Sequence, residues 1–452
     1  MRIHFIAIGG SAMHNLAIAL HKKGYQVTGS DDVIFEPSSS RLERFGILPK
    51  NMGWNAENIT ADLDAVILGM HALTDNPELL KAQELGLKIY SYPEYIYEQT
   101  KDKLRVVIGG SHGKTTITSM ILHVLNFYQK DFDYLVGAQL AGFDTMVKVT
   151  DSAPMIIIEG DEYLASPIDR RPKFHLYKAN VAVISGIAWD HINVFPTYPD
   201  YVRQFELFID TIQPKGKLIY CEADKDLEKI VADADADIEK IGYEIPAHEV
   251  KGGITYLLPD ETALKVFGDH NLMNLNAAKL VCAQLGIDGK DFNLAISSFT
   301  GAAKRLELLS SRDETNVYKD FAHSPSKLRA TIEAVKTQFP DRKLVACIEL
   351  HTFSSLNKDF LVQYADTMEG ADTAIVYIDE KTFQHKKIEP FSKNDVQTAF
   401  KSVDLHFFNN VLSLENYIQS INFYRKNLLL MSSGNFGGLD LMKLARELNT
   451  IS

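Results

Sequence analysis

The residues best suited to chemistry are Gly109-Gly110-Ser111-His112-Gly113-Lys114-Thr115-Thr116. Glycines there let backbone N–H groups turn into a loop, and a helix opening at Lys114 adds the favourable end of its dipole. The lysine neutralises phosphate oxygens, and Thr115 can offer a hydroxyl to a phosphate-bound Mg²⁺. The pattern predicts nucleotide binding by Gly110, Ser111, His112, Gly113, Lys114, Thr115 and Thr116. The usual first glycine of such a loop is Ile108 here, so the match is Gly-x-x-Gly-Lys-Thr. Glu159-Gly160-Asp161-Glu162 ends an apolar run, which is where carboxylates meet Mg²⁺ and phosphate beside a P-loop. Asp190-His191 ends another. Histidine is a less common Mg²⁺ ligand than carboxylate, so His191 reads as either ligand or structural residue. Asn271 and Asn274 are three apart on one helical face, where they either read an adenine edge or cap the helix. Asp320-Phe321-Ala322-His323-Ser324-Pro325 follows a strand. Met431-Ser432-Ser433-Gly434-Asn435-Phe436-Gly437-Gly438 makes either a tight strand-to-helix turn or an approach of amides to an anion.

These groups need strands and helices to hold them. Val106–Ile108 reads as a buried strand, with a helix from Lys114 through Leu125. An opening strand Ile3–Ile8, Gly9-Gly10-Ser11, a helix Asn15–Lys23 and a strand Gln26–Gly29 ending at Ser30-Asp31 form a Rossmann-like unit. That unit lacks the third glycine of a dinucleotide fingerprint, but suits a nucleotide diphosphate such as the UDP of a sugar substrate. Asn76-Pro77-Glu78 reads as a helix start. Strands are expected at Ala65–Gly69, Lys88–Ser91, Pro154–Glu159, Val181–Ile187 and Ile254–Val266, and an aromatic-lined helix over Tyr198–Ile212. Asp224–Asp237 reads as an acidic, solvated helix. Past Arg305, strands at Val317–Asp320, Lys343–Ile348, Thr373–Tyr377, Asp404–Phe408 and Asn427–Met431 alternate with helices. The fold class expected is α/β in three domains: 1–103 Rossmann-like and UDP-sugar-binding, 104–303 a P-loop domain on a parallel sheet, 304–452 Rossmann-like again.

The 452 residues suit about three domains, and 46% hydrophobic with 23% charged residues is the composition of a globular protein. A net charge of −12, with no basic cluster, argues against nucleic acid. Cys221, Cys282 and Cys347 are too scattered for a zinc site or disulfide framework. No run approaches a membrane span and the N-terminus does not read as a signal peptide, so a cytoplasmic location is expected. Oligomeric state is not readable.

Together these segments resemble the Mur ligases over essentially the whole chain. His4-Phe5-Ile6-Ala7-Ile8-Gly9-Gly10-Ser11-Ala12-Met13 resembles the family's opening, and the P-loop resembles its P-loop, which also lacks the first glycine. Glu159–Glu162 and Asp190-His191 match its metal segments, His270-Asn271-Leu272-Met273-Asn274 its adenine segment, and Asp320–Pro325 its C-terminal ATP motif. Several details point to the branch that joins an intact tripeptide, L-Ala-γ-D-Glu-meso-diaminopimelate, to UDP-N-acetylmuramate in peptidoglycan recycling. They are Glu162-Tyr163, Asp169-Arg170-Arg171-Pro172-Lys173-Phe174, Phe195-Pro196 and the 431–438 turn. The branch adding L-alanine is the alternative.

The resemblance implies ATP and Mg²⁺ as cofactors and an acyl-phosphate route. Lys114, Glu159, His191 and Arg305 would be catalytic, with Thr115, Glu159 and His191 on the metal and Arg305 joining as the last domain closes. His270, Asn271 and Asn274 would hold adenine, Asp320 the ribose, and His323 would approach the phosphates. Gly9, Gly10, Ser11, Ser30 and Asp31 would hold UDP. The sequence departs from the family at Ser111, where threonine is usual, at Gly186, Ala188 and Asn193 around the Asp-His pair, and at Glu206, where some members carry a carbamylated lysine. A Mur-like sensor without ligase activity is one reading that Gly186, Ala188 and Asn193 suggest. A nicotinamide-dependent oxidoreductase, suggested by Gly9-Gly10 and Asp31, leaves the P-loop unexplained.

Overall fold

The structure, a computed structural model, describes residues 1–140, 142–189, 194–302, 305–312, 314–386 and 388–448. The chain forms two compact units, Met1–Glu244 with Met273–Ile296, and Ile245–Leu272 with Ser297–Ser452. Both are α/β, as the alternation of strand and helix patterns predicts.

The first unit holds two sheets. The smaller is parallel, in the order Gln26–Ser30, Arg2–Ile6, Ala65–Leu68, Ile89–Ser91. The larger runs Glu239–Tyr243, Lys217–Cys221, Val181–Ile184, Leu104–Gly109, Met155–Glu159, Asp133–Leu135, Val147–Lys148. Only the last of these pairs is antiparallel. The P-loop strand is thus central, and Val106, Val107 and Ile108 are wholly buried, as a strand covered on both faces requires. Its neighbours end in Glu159 on one side and lead to Ser185 on the other, so the carboxyl edge gathers both beside the loop.

The second unit has a six-stranded sheet ordered Glu307–Arg312, Thr315–Asp320, Lys426–Met431, Lys343–Glu349, Thr373–Tyr377, His406–Phe408. It is parallel apart from the first strand. A three-stranded antiparallel sheet, His248–Lys251, Ile254–Leu257 and Thr262–Leu264, belongs to the same unit.

Several boundaries differ from the sequence expectation for identifiable reasons. The first strand stops at Ile6 because Ala7 turns to φ +68°, and Ala7 N and Ile8 N both donate to Ser30 O. The following helix then begins at Ser11 rather than Asn15, directly from Gly10. The expected strand Ile254–Val266 is two strands, broken where Pro259 has no N–H and Glu261 takes φ +49°. The acidic stretch is helical only over Lys225–Asp233, capped by Asp224, and the chain then feeds the edge strand Glu239–Tyr243. Lys217–Cys221, Glu239–Tyr243 and Glu307–Arg312 are strands that the sequence reading passed over.

Asn76-Pro77-Glu78 does start a helix, with Asn76 accepting from Glu78 N and Leu79 N. Glu78 does more. It is completely buried, accepting from Asn55 N at 3.0 Å, Asn58 Nδ2 at 2.9 Å and the Ser30 hydroxyl, with His4 Nε2 at 3.5 Å. Burial works to raise its pKa, but the donors from His4, Ser30, Asn55 and Asn58 outweigh it and hold the carboxyl below its ordinary range. Glu78→Ala would strand these donors and cost about 3 kcal/mol. The expected result is loss of hydrogen-exchange protection across Ile3–Ile6, and unchanged protection there would refute it. Because its pKa is depressed, Glu78 contributes stability above the unfolded carboxyl pKa, and that contribution fades as pH falls through the lower folded value.

Candidate functional site

The P-loop corner is built around glycines that nothing larger could replace. Gly113 caps helix Lys114–Phe127 at φ +83°, where a Cβ would run into the Asn274 amide. Gly110 lies at φ +122°, with Ser185 Oγ and N in the space a Cβ would take. Ser185 hydrogen-bonds His112 O through its hydroxyl, and Ser111 N donates to Gly186 O at 2.9 Å. Gly186, a departure from the family pattern, sits at φ +141°, so the glycine suits its backbone.

Acidic side chains surround the loop. Lys114 Nζ donates to Gly110 O and to Glu162 Oε2, both at 2.7 Å. Burial pushes this ammonium down, yet Glu162, Asp161 and Glu159 outweigh it and hold its pKa above the ordinary lysine range. Thr115 Oγ1 donates to Glu159 Oε1 and Gly137 N to Glu159 Oε2, again at 2.7 Å. Burial raises the Glu159 pKa against those two donors and Lys114. Asp161 accepts from Lys173 Nζ at 2.8 Å.

The hydroxyl of Thr115 and the carboxylate of Glu159, held side by side at the phosphate end of the loop, fit a Mg²⁺ site. This ion takes one or two protein oxygens and completes its octahedron with phosphate and water. Among the described residues no cluster of three or more His, Cys, Asp or Glu is gathered for a metal. His191, expected as catalytic group and metal ligand, lies outside the described residues, as do Asp190 and Asn193. Glu206, at the position of the carbamylated lysine, pairs with Arg203 at 2.7 Å.

The sequence reading missed Tyr201. It is wholly buried on helix Tyr198–Asp210, and its hydroxyl lies 2.8 Å from Ser111 Oγ and 3.5 Å from Glu162 Oε1. The aromatic pattern of this helix reads as core, and nothing local shows that one ring carries its hydroxyl to the P-loop.

A second concavity, of about 930 Å³, lies in the same unit and is lined by Gly9, Gly10, Ser11 and Asp31. Gly9 N donates to Asp31 Oδ2 at 2.7 Å. Burial pushes the Asp31 pKa up to about 6, opposed by that N–H. Ser30 is not on this wall. Its hydroxyl faces inward to His4 and Glu78. Arg41, Gln139, Asp144 and Met146 also line the cavity, and Arg41 NH2 donates to Asp144 O at 2.9 Å. Their distance in sequence from Gly9 hid this contribution.

In the C-terminal unit, Asp320 accepts from Leu306 N and Ala322 N, both at 2.7 Å, so it organises the loops on either side. Arg305 lies over the Phe321 ring, 5.0 Å from its centroid. His323 Nδ1 is 2.8 Å from Phe321 O, and Asn271 Nδ2 donates to Phe267 O at 2.9 Å. Burial holds the His270 pKa below its usual range, although Asp320 and Asp269 pull it up. The glycine-rich 431–438 turn wraps the chain's own Glu349. That carboxylate bonds the Ser432 hydroxyl and accepts from Phe436 N at 2.9 Å.

Among the described residues, no helix is long and apolar enough to cross a membrane. Residues 2–103 match the Mur ligase family, catalytic domain; 108–282 match the Mur ligase middle domain; and 304–421 match the Mur ligase, glutamate ligase domain. UDP-N-acetylmuramate–L-alanine ligase of Lactobacillus delbrueckii subsp. bulgaricus is 31% identical over 389 residues, covering 83% of this chain and 84% of that protein. The structure of a murein peptide ligase from Psychrobacter arcticus superposes with TM-score 0.62 at 23% identity, covering 100% of this chain and 99% of that one. That of UDP-N-acetylmuramate–alanine ligase from Thermotoga maritima gives 0.68 at 21%, covering 99% and 98%.

Proposed function

The chain belongs to the Mur ligase family of ATP-dependent amide ligases, and from that premise we propose that it joins L-Ala-γ-D-Glu-meso-diaminopimelate to UDP-N-acetylmuramate. The observation carrying this finer reading is the segment Tyr163–Phe174, which bears the Asp169-Arg170-Arg171-Pro172-Lys173-Phe174 signature. It folds back on itself through Ala165 N to Arg171 O and Ser166 N to Asp169 O, at 2.9 and 3.0 Å. Lys173 then returns to Asp161 beside the phosphate loop. A signature built onto the reacting end of the sheet suits a role in choosing the amine. The alternative, L-alanine as the amine, is favoured by the alanine-adding relative at 31% identity.

In this reading UDP occupies the cavity lined by Gly9, Gly10, Ser11 and Asp31, and Ser30 shapes it from beneath. The division of labour follows 1–103 for the UDP-sugar, 104–303 for ATP together with the segment Tyr163–Phe174, and 304–452 as the ligase domain. ATP phosphates meet the Gly110–Thr116 amides and Lys114. His270, Asn271 and Asn274 serve adenine, Asp320 the ribose, and Arg305 and His323 the phosphates. The lactyl carboxylate attacks the γ-phosphorus and ADP leaves. The peptide amine then attacks the acyl phosphate, loses a proton and expels phosphate. The first attack brings two anions together, so positive charge must be fixed in place beforehand. Lys114 supplies one such charge. Thr115, Glu159 and His191 would hold Mg²⁺, which would supply further positive charge for this step.

The test is phosphate release from ATP with Mg²⁺ and UDP-N-acetylmuramate, comparing the tripeptide with L-alanine. Turnover with the tripeptide is expected. Turnover with L-alanine alone would establish the alternative. Silence with both, with the UDP-sugar still bound, would leave the sensor.

A further inference from the structure

Lys114 faces two demands. Its ammonium is neutralised by Glu162, which is wholly buried, and in binding a nucleotide the same ammonium must serve phosphate oxygens. Drawing a cation away from a buried carboxylate is costly unless hydrogen bonds to that carboxylate strengthen in exchange. Tyr201 stands where such an exchange can happen. Its hydroxyl is 3.5 Å from Glu162 Oε1, at the outer limit of a hydrogen bond, and 2.8 Å from Ser111 Oγ.

The ring is held firmly. Thr197 caps its helix by accepting from Asp200 N, and Pro199 occupies the first turn. Phe205 packs edge-on at 5.2 Å between centroids, and Phe195 lies at 5.5 Å. Phe205 in turn meets Phe174, which stacks on Phe208. A Cβ on the P-loop's Gly109 would touch Phe174 and Phe208, so the aromatic cluster that fixes Tyr201 also backs the loop. Lys114, Glu162, Tyr201 and Ser111 are linked in series, side chain to side chain, beside the phosphate loop.

We propose that Tyr201 is a positioning residue for the nucleotide: its hydroxyl tightens onto Glu162 as Lys114 turns to the phosphates, releasing the Ser111 hydroxyl toward the same anion. No proton changes owner. Tyr201 donates to Glu162 throughout, and Ser111 exchanges Tyr201 Oη for a phosphate oxygen as acceptor. The proposal rests on the reading that this loop binds ATP, and deepens it by naming what lets the lysine go.

Calorimetric ATP binding with Mg²⁺ tests it in the full-length wild type, Tyr201→Phe, Glu162→Gln and the double variant, with thermal midpoints recorded. Tyr201→Phe should weaken ATP about tenfold, the loss of one hydrogen bond to a charged group, and leave UDP-N-acetylmuramate affinity unchanged. In the Glu162→Gln background the same change should cost less than about twofold, because the carboxylate that needed the hydroxyl is gone. A merely structural tyrosine would instead weaken both ligands or act equally in both backgrounds, and either result overturns the proposal. So does wild-type ATP affinity in Tyr201→Phe. Should that variant fail to fold, Glu162→Gln alone decides: with no charge competing for Lys114 it should bind ATP at least as well as wild type, and a tenfold loss refutes the exchange. A folded wild type that binds the UDP-sugar but no ATP would overturn the nucleotide reading itself, a failure distinct from all of these.

Discussion

Lys114→Met should lower ATP-dependent phosphate release by about a thousandfold or more in kcat/KM, while UDP-N-acetylmuramate still binds. The reason lies in the charge balance of the loop. Glu159, Asp161 and Glu162 all raise the Lys114 pKa, so the ammonium is present at any working pH. It is also the cation held at the mouth of the Gly110–Gly113 turn, bonded to Gly110 O. Methionine keeps the apolar stem and removes the charge, leaving acids facing an incoming triphosphate. Arginine should not rescue, because a planar fork cannot occupy the compact position between Gly110 O and Glu162. The Gly9 cavity is lined by other residues, so retained UDP-sugar binding separates a lost phosphate site from a lost fold. Activity within tenfold of wild type would remove Lys114 from the mechanism.

The sequence displayed those parts of the site that are local. Gly109–Thr116 is a contiguous strand–turn–helix, and the apolar run Met155–Ile158 ends in Glu159, so periodicity and residue type were enough to place them together. The parallel α/β architecture was legible for the same reason, since each strand–helix unit announces itself within thirty-odd residues. Long-range side-chain partners were not. Tyr201 looks like any core aromatic until the helix packs beneath the P-loop, and Glu78 looks like a solvated helix-start acid until Ser30 and His4 close over it. The resemblance implies a ligand contact for Ser30, but strand alternation turns its hydroxyl inward to His4 and Glu78. Arg41 and Met146 come to one cavity from segments about a hundred residues apart. Edge strands such as Glu239–Tyr243 were missed because half-exposed, polar strands carry little hydrophobic pattern.

Glu159→Gln is the second large effect expected. The wild-type carboxylate accepts from Thr115 Oγ1 with one oxygen and Gly137 N with the other. Glutamine fits the same place with its carbonyl oxygen accepting from Gly137 N and its NH₂ donating to Thr115 Oγ1, which turns the threonine hydroxyl into an acceptor and takes up a lone pair it would offer a metal. Exchanging two charge-assisted bonds for neutral ones costs about 1 kcal/mol. Removing the negative charge also weakens Mg²⁺, which prefers ionised oxygen ligands. A loss of about a hundredfold or more in kcat is therefore expected, with half-saturating Mg²⁺ raised. The two causes separate on titration. If Glu159 acts through the metal, added Mg²⁺ recovers part of the rate; if it only braces Thr115 and Gly137, the rate stays low at every Mg²⁺ concentration. Thr115→Val supplies the complement, since it removes the hydroxyl and leaves Glu159 charged. Should the two substitutions together cost no more than the worse one alone, hydroxyl and carboxylate act as one unit on one ion. Fully additive losses would mean that they serve the reaction separately.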